Sequence, residues 1–337
     1  MAITITDILD TIRDNASDMY IERVPAYTRN NLGQVGDAIT SNKNVMNEFI
    51  NALVNKIAFS NIKNKAFKNP LARLKGNNMP YGNNIEEIYI NPSTDSGYSA
   101  DGNTLLTTVK PDGKVCYYGL NRKSKYEFSI NMPMLQRAFL NDSNFMEFYN
   151  GIVTALYSGD EMDEFILTKN AIGQCIDKNV MKVVEANISN ANGLAKAISN
   201  TSKHFTFPST VFCGYNANLK EQEKECVTWC PTDSQCLLIT AEAQTSLDYD
   251  LLSTFFHVPT DALERMTILV DEIPSTTKNV LAVLCDSSAI QMRDSIYQTE
   301  TFNNVGTLET KLFLHHWQTI YFSMFANAVA FGTDKAA

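Results

Sequence analysis

Apolar residues first recur in a regular pattern between Val45 and Ile57, where they are spaced by three and four positions. This period places them on one face of a helix, so the stretch VMNEFINALVNKI predicts an amphipathic helix. Residues 1–41 show no sustained apolar period and contain Pro25 and Gly33. We therefore expect an extended or partly helical arm before this helix.

Alternation of apolar and polar residues replaces the helical period between residues 80 and 131. The runs IEEIYI, KVCYYGL and KSKYEFSINM are rich in β-branched and aromatic residues, which favours strands. Together they predict a long two-stranded hairpin, which needs a covering surface because a hairpin alone is only marginally stable in water. Successive strand residues point to opposite faces, so Glu86 and Glu87 cannot face each other.

The helical period returns after Asn141, with Ser143 or Asn144 as the expected N-cap. Its expected buried face consists of Phe145, Phe148, Ile152, Leu156, Gly159, Met162 and Ile166. A helix that continues to Lys178 would be on the order of 50 Å long, since each residue adds about 1.5 Å. We expect its acidic side to face solvent; the residues concerned are Asp160, Glu161, Asp163 and Glu164.

The rest of the chain reads as a compact α/β region followed by strands. Residues 183–290 predict a helix around ANGLAKAISN, a second helix at DYDLLSTFFHVP, and the short strands CLLITA, MTILVDEIP and NVLAVLCD. The tail, residues 291–337, is aromatic and β-branched. We interpret it as strands, although HHWQTIYFSMF also fits a helical period.

Composition narrows the classes of function. Charged residues make up only 19% of the 337 residues and the formal net charge is -9, which argues against a protein that grips nucleic acid through its phosphates. The N-terminal residues carry acids where a signal peptide needs basic residues, and no run is long enough to cross a bilayer. Seven cysteines do not suggest a disulfide framework, so we expect reduced thiols in the compartment of synthesis.

Motifs for catalysis or metal binding are weak. Cys226, Cys230 and Cys236, with His204 upstream, lack the second cysteine pair of a structural zinc site. His315 and His316 are consecutive, so their side chains diverge and cannot bind the same metal ion. Nucleophile elbows and phosphate-binding glycine loops are missing from the sequence. We therefore expect no catalytic residues, no metal and no cofactor.

The order of these elements resembles the Hong Kong 97 fold of tailed-phage major capsid proteins, an α+β fold. Several runs resemble the major head proteins of phi29-type podophages: GQVGDAI, MNEFINALVNKI, NPLARLKGNNMPYGNNIEEIY and HHWQTIYFSMFANAVAF. The resemblance implies an N-terminal arm, an extended loop, a peripheral domain with a long spine helix, and an axial α/β domain. The arm would be residues 1–41 and the extended loop residues 75–131. The peripheral domain would combine residues 42–74, 132–182 and 291–337, and the axial domain would be residues 183–290.

The resemblance also implies a function and partners. We expect a major capsid protein that self-assembles through pentamers and hexamers into an icosahedral or prolate head around double-stranded DNA. It would enclose that DNA without sequence-specific binding, avoid membranes, and assemble in the host cytoplasm with a separate scaffolding protein and a portal protein. The alternatives are an encapsulin-like compartment shell, another phage structural protein such as a tail or connector protein, and, less favoured, a cytoplasmic enzyme that uses the cysteine cluster.

Charged residues around the hairpin are the candidate contacts between subunits. Ring formation joins one patch to a different patch on the next copy, and a basic strip with no intervening acid precedes the hairpin. A solvated strip beside a helix explains the same residues more simply. The candidates are Glu86, Glu87, Lys110, Lys114, Arg122, Lys123, Lys125, Lys63, Lys65, Lys68, Arg73 and Lys75.

Overall fold

A computed structural model describes residues 4–59, 67–80, 82, 84–95, 110–185, 191–219, 224–247, 267–304 and 309–335. Its α-helices are α1 Ile5–Asp14, α2 Asp18–Arg23, α3 Leu32–Thr40, α4 Lys43–Phe59, α5 Met132–Ala138, α6 Asp142–Val153, α7 Gly159–Asp177, α8 Ala191–Phe205 and α9 Ala241–Ser246. Its strands are β1 Ile85–Ile90, β2 Gly113–Tyr118, β3 Arg122–Asn131, β4 Lys182–Val184, β5 Gln235–Thr240, β6 Thr267–Val270, β7 Lys278–Asp286, β8 Ile290–Asn304, β9 Glu309–Phe322 and β10 Ala328–Asp334. Among these helices, none combines the length and the apolar composition that a membrane-crossing segment requires.

The chain divides into two compact units. Unit 1 consists of Met1–Asn69, Arg122–Glu164 and Asp294–Gln318. Unit 2 consists of Pro70–Asn121, Phe165–Arg293 and Thr319–Ala337. These units do not coincide with the four domains expected from the sequence, whose boundaries stay a prediction.

Helices, rather than an extended arm, form most of the N-terminal segment. Thr4 caps α1, because its hydroxyl accepts a hydrogen bond from the Asp7 backbone N–H while the Asp7 carboxylate accepts from the Thr4 backbone. The buried face of α1 includes Ile5, Ile8 and Ile12, which join the apolar core of unit 1. The expectation of no apolar period before residue 42 was therefore wrong, because these isoleucines already recur at helical spacing.

The predicted helix at VMNEFINALVNKI is confirmed as α4, and Phe49 and Leu53 on its apolar face are fully buried. Helix α3 carries the GQVGDAI run and lies against the chain just after α5. A Cβ atom on Gly36 would fall 2.3 Å from the Cβ of Phe139, so only glycine permits this approach. The two elements pack in the same apolar core, which also receives Leu312 and Leu314 from β9.

The long helix after Asn141 is confirmed, with two corrections. Its N-cap is Asn141 itself, whose side chain accepts from the Asn144 backbone N–H. Between α6 and α7 lies one π-helical turn, Thr154–Ser158, which holds one residue more than an α-helical turn. The buried face of α6 therefore does not continue into α7 at the positions that the sequence predicted. Met162 and Ile166 are exposed.

Strand β3 does not belong to the predicted hairpin. It pairs antiparallel with β9, and β8 completes a three-stranded sheet. The register sets Arg122 opposite Gln318, Ser124 opposite His316 and Tyr126 opposite Leu314. Opposed residues of an antiparallel pair lie on the same face, so this face carries four polar residues at one end, followed by Tyr126 and Leu314.

The predicted hairpin is present as β1 and β2, which pair antiparallel from Ile85↔Tyr118 to Ile90↔Gly113. Unit 2 also contains a five-stranded mixed sheet in the order β4-β10-β7-β5-β6. Helix α8 packs on this sheet in a core that includes Leu194, Ile198, Leu237 and Phe331. The expected strands at CLLITA, MTILVDEIP and NVLAVLCD, the tail strands and the helix at ANGLAKAISN are confirmed. The expected helix at DYDLLSTFFHVP lies outside the described residues.

Candidate assembly surface and buried charge cluster

The outer face of the β1–β2 hairpin is apolar and open to solvent. Ile88 and Ile90 on β1 are each 60% exposed, and Tyr117 on β2 is 66% exposed. Val115 lies opposite Ile88 in the register and is also exposed. Large apolar side chains grouped on one exposed face mark a site of protein association. The sequence analysis considered only the charges of this stretch and missed Ile88 and Ile90. Both lie an even number of positions from Glu86 in IEEIYI, so strand alternation places all three side chains on the same exposed face.

The inner face of the hairpin is covered within unit 2. The Tyr118 ring stacks on the Tyr321 ring with centroids 4.1 Å apart, and Asn91 donates to the Glu225 backbone oxygen at 2.9 Å. The Tyr89 hydroxyl donates to the backbone oxygen of Val227. The covering surface that a two-stranded hairpin needs is therefore supplied by the same subunit.

The two glutamates of the hairpin point to opposite faces, as expected. Glu86 is exposed and accepts a hydrogen bond from the Tyr117 hydroxyl at 2.9 Å. Glu87 is half-buried and accepts from the Ser323 hydroxyl at 2.8 Å and from the Tyr118 hydroxyl at 3.1 Å. Glu86 is therefore available to a neighbouring molecule, whereas Glu87 is held inside unit 2.

The basic candidates differ in their surroundings. Lys114 is half-buried, and its ammonium lies 3.5 Å from the Asp112 carboxylate. Lys75 is half-buried and lies in a β-bridge with Met292. Lys63 and Lys65 lie outside the described residues. The exposed candidates are Lys68, Arg73, Lys110, Lys123 and Lys125.

The outer face of the β3–β9 pair carries cations beside aromatic rings. The Lys123 ammonium lies 5.0 Å from the ring centroid of Trp317, and the Lys125 ammonium lies 5.1 Å from that of Phe313. Ammonium groups at this distance are attracted to the ring. This face therefore presents two ammonium groups that lie over aromatic rings.

Arg122 lies on the opposite, buried face and is only 3% exposed. Its guanidinium donates to the Asp160 carboxylate at 2.6 Å and to the Gln318 side-chain oxygen at 3.0 Å, and lies 3.7 Å from the Glu164 carboxylate. Asp160 and Glu164 are also buried. The expectation of a solvent-exposed acidic side was therefore wrong for these two residues. We leave Arg122 out of the candidate contacts between subunits, since its charge is compensated within unit 1.

His316 completes this buried charge cluster. One ring nitrogen lies 2.7 Å from the Asp160 carboxylate and the other 3.0 Å from the Asp294 carboxylate. Burial opposes the charged imidazolium, but these two carboxylates outweigh it and raise the pKa of His316 above its ordinary value. His315 points to the other face of β9, as the strand alternation predicted.

Glu164, Asp294 and His316 are the one group in the described part of the chain that could supply three metal-ligand atoms, all within 4.8 Å of one another. The Gln318 amide already donates to Glu164 at 2.7 Å and to Asp294 at 2.8 Å. Arg122 adds a fixed cation beside the Glu164 carboxylate. The cluster therefore has the features of an internal ion network, which stabilises one arrangement of β3, β9 and the helix.

The cysteine cluster does not assemble as a site. Cys226 packs with Cys213 and Phe325, whereas Cys230 belongs to the core of the five-stranded sheet. Burial raises the pKa of the Cys226 thiol to about 12, so it is a neutral thiol at ordinary pH. His204 is exposed at the end of α8.

Solved phage capsids share this fold. The capsid of Staphylococcus phage Andhra matches with a TM-score of 0.65 and 13% identity, over 82% of this chain and 88% of that chain. The capsid of Cyanophage Pam1 matches with a TM-score of 0.50 and 10% identity, over 82% of this chain and 95% of that chain. The fold is the Hong Kong 97 type.

The sequence identifies the family. Residues 9–332 match the family model described as Phi29-like phage major capsid protein, and the chain belongs to that family. The major capsid protein of Bacillus phage B103 is 29% identical over 334 residues, which is 97% of this chain and 72% of that protein. The major capsid protein of Streptococcus phage Cp-1 is 25% identical over 344 residues, 95% of this chain and 92% of that protein. The chain is a major capsid protein of a tailed phage, and the alternatives of a compartment shell, another phage structural protein or an enzyme are not favoured.

Proposed function

We propose that the outer face of the β1–β2 hairpin is the main contact through which copies of this chain join into pentamers and hexamers. The observation that carries the proposal is the exposure of Ile88, Ile90, Val115 and Tyr117 together on one face. Because the inner face is already packed within unit 2, the subunit folds first and associates afterwards. The contact then buries apolar surface that the isolated subunit leaves in water.

Exposed charges orient this association. Glu86 on the hairpin and the exposed cations Lys110, Lys123 and Lys125 offer complementary patches for a heterologous contact. Each exposed ion pair contributes only about 0–1 kcal/mol, so these side chains select the register while the apolar face supplies most of the free energy. Weak contacts of this kind allow misplaced subunits to leave before several neighbours hold them.

The finished shell is an icosahedral or prolate head that encloses double-stranded DNA. The formal net charge of -9 supports a container that holds DNA without sequence-specific binding, since a strongly basic wall would retain the genome through its phosphates. Assembly takes place in the host cytoplasm with a separate scaffolding protein and a portal protein. This part of the proposal follows from membership of the capsid family.

Electron microscopy tests the proposal directly. The chain is expressed alone and together with its candidate scaffolding protein, and both preparations are imaged in negative stain beside a measurement of mass in solution. We expect rings of five and six, or closed shells, with the higher yield of shells when the scaffolding protein is present. A stable monomer in both preparations would contradict self-assembly through the hairpin.

A further inference from the structure

A pocket of about 270 Å³ lies in unit 2 between the hairpin and the turn before β10. The side chains that matter chemically are two carboxylates, an indole and a buried amide, supplied by Glu87, Asp286, Trp229 and Asn327. Of the outer-face residues proposed to join copies, Ile88 also lines this pocket, so the pocket lies beside that contact. Its lining combines negative charge with an aromatic surface, which is the environment that basic side chains prefer.

The two carboxylates of the pocket are held only by neutral donors. Glu87 accepts from two hydroxyls, and Asp286 accepts from the backbone N–H of Ser288 at 2.8 Å and from its hydroxyl at 2.7 Å. Among the described residues, no lysine or arginine lies within ion-pair distance of either carboxylate. The pocket therefore carries two carboxylates that have no cationic partner in the part of the chain that the structure describes.

Asn327 adds an independent observation, because it lines the pocket and is only 2% exposed. Its side-chain oxygen accepts from the Thr228 hydroxyl, but its Nδ2 group has no acceptor in the part of the chain that the structure describes. A buried amide donor without an acceptor is unfavourable by about 1–3 kcal/mol. A ligand that brings a carbonyl oxygen into the pocket would satisfy it.

Trp229 supplies the aromatic surface. It lines the pocket, yet 49% of its side chain remains exposed. A tryptophan face attracts ammonium and guanidinium groups more strongly than other rings do. The pocket thus offers an indole and two carboxylates to a cation and an amide donor to a carbonyl. A peptide segment that carries a basic side chain has both groups.

We propose that this pocket receives an arginine or lysine side chain from a neighbouring copy of this chain. The inference rests on the proposed function, since a shell brings copies into contact at every position. Unit 1 carries exposed arginines that a neighbour could present, namely Arg23, Arg29 and Arg137. On insertion the cation lies between the carboxylates and the indole, and a main-chain carbonyl accepts from Asn327.

The test uses two short peptides, acetyl-Gly-Arg-Gly-amide and its citrulline counterpart, which has nearly the same shape and no charge. Each is titrated into the unassembled full chain while tryptophan fluorescence is recorded. We expect the arginine peptide to bind at least about tenfold more tightly than the citrulline peptide, because only the former makes charge-assisted hydrogen bonds. Equal binding of the two peptides, or binding of neither, would overturn the proposal without reference to any variant.

Variants locate the binding. Glu87→Gln with Asp286→Asn keeps the shape of the pocket and one acceptor oxygen at each position but removes both negative charges, so we expect the preference for arginine to disappear. The matched control is Asp10→Asn with Glu300→Gln, which removes two exposed carboxylates from unit 1 and should leave binding unchanged. An arginine preference that survives the first double variant contradicts the assignment to this pocket. Binding of Mg²⁺ or spermidine in place of the peptide contradicts a peptide occupant.

Assembled particles distinguish the source of the side chain. If a neighbouring copy occupies the pocket, the arginine peptide binds the unassembled subunit and does not bind closed shells. Equal binding to both would exclude a second copy as the occupant. Failure of the chain to form shells would contradict the proposed function, whereas the peptide titration on the free subunit would still decide whether the pocket accepts a basic side chain.

Discussion

Arg122 carries a full positive charge where solvent hardly reaches it, and the surrounding side chains are arranged to compensate it. Its partners come from two elements: Asp160 and Glu164 from α7, and Gln318 from β9. A buried ion pair contributes little against apolar residues of the same shape, but it is costly to break. Single substitutions in this cluster should therefore act strongly on stability.

Arg122→Ala is expected to lower the free energy of unfolding by about 3–5 kcal/mol, because it leaves Asp160 and Glu164 buried without their cation. Urea unfolding of the unassembled chain measures the change. Lys125→Ala is the control on the same strand, since Lys125 is exposed, and it should change the free energy by less than about 1 kcal/mol. Equal losses in the two variants would show that Arg122 does not compensate buried charge.

His316 makes the stability of the subunit depend on pH. Its pKa in the folded state is raised, so the protonated form stabilises the fold, and this contribution is complete below the unfolded pKa of about 6.5. The stabilisation is lost as pH rises through the raised folded value. The urea midpoint should therefore fall as pH rises above the unfolded pKa of about 6.5.

Two histidine variants separate this effect from other titrations. His316→Gln should flatten the fall in the urea midpoint, because the titrating group is gone. His315→Gln should retain it, since His315 lies on the opposite face of β9 and away from Asp160 and Asp294. A slope that is the same in both variants would assign the pH dependence to groups other than His316.

At the scale of elements, the hairpin is a two-sided structure whose faces have different tasks. Its inner face, through residues such as Tyr89 and Tyr118, anchors it to unit 2. Its outer face is mostly apolar and exposed, so it contributes little to the fold of the isolated subunit. Substitutions on the outer face should therefore affect assembly and leave folding nearly unchanged.

Ile88→Ser with Ile90→Ser is expected to abolish particles and to change the free energy of unfolding by less than about 1 kcal/mol, because each side chain is already 60% exposed. Sedimentation separates particles from free subunits, and circular dichroism checks the fold. Phe302→Ser removes a comparably exposed ring from β8 and should allow particles to form. Normal particles from the isoleucine variant would refute the role of this face.

At the scale of the whole molecule, copies that meet are both strongly negative. Two copies repel each other at long range because each carries a formal net charge of -9. Dissolved salt screens this repulsion but hardly changes the apolar contact. Raising the ionic strength from about 0.05 M to 0.3 M shortens the distance over which charges act, so we expect assembly to begin sooner. The lag before light scattering rises measures this.

A charge variant provides the control for the salt effect. Asp10→Asn with Glu300→Gln removes two exposed negative charges, so its lag at low salt should be shorter and should change less with salt. A lag that lengthens as salt is added would mean that specific ion pairs, rather than net repulsion, govern the first contacts.

The sequence predicted most elements because their periods are local. Strand β3 shows where this succeeds: Tyr126, Phe128 and Ile130 alternate, and the same parity assigns Arg122 to their buried face. What no local pattern contains is the identity of its partners, since Asp160 comes from 38 residues away and His316 from 194. Strand alternation therefore indicates that Arg122 is buried, but it does not indicate which side chains compensate its charge.

The same limit explains the surface of the subunit. Alternation in IEEIYI indicates two faces, yet only the packing of Tyr118 on Tyr321 decides which face is inside. The sequence predicted an extended or partly helical arm, and the extent of the N-terminal helices was missed for a different reason. Their apolar residues recur over one or two turns in each helix, which is too short for a sustained period to stand out.

The π-helical turn Thr154–Ser158 has a consequence for changes in chain length. It accommodates one extra residue while α6 and the first turn of α7 each keep their own buried face. A relative that lacks one residue here would close the turn into ordinary α-helix without rotating Asp160 away from Arg122. Helix α6 contains no wider turn that could absorb a change in length. A one-residue deletion within it would turn the side chains that follow by about 100° about the helix axis. Gaps in this helix should therefore accumulate at that turn, and elsewhere the helix should vary by substitution alone.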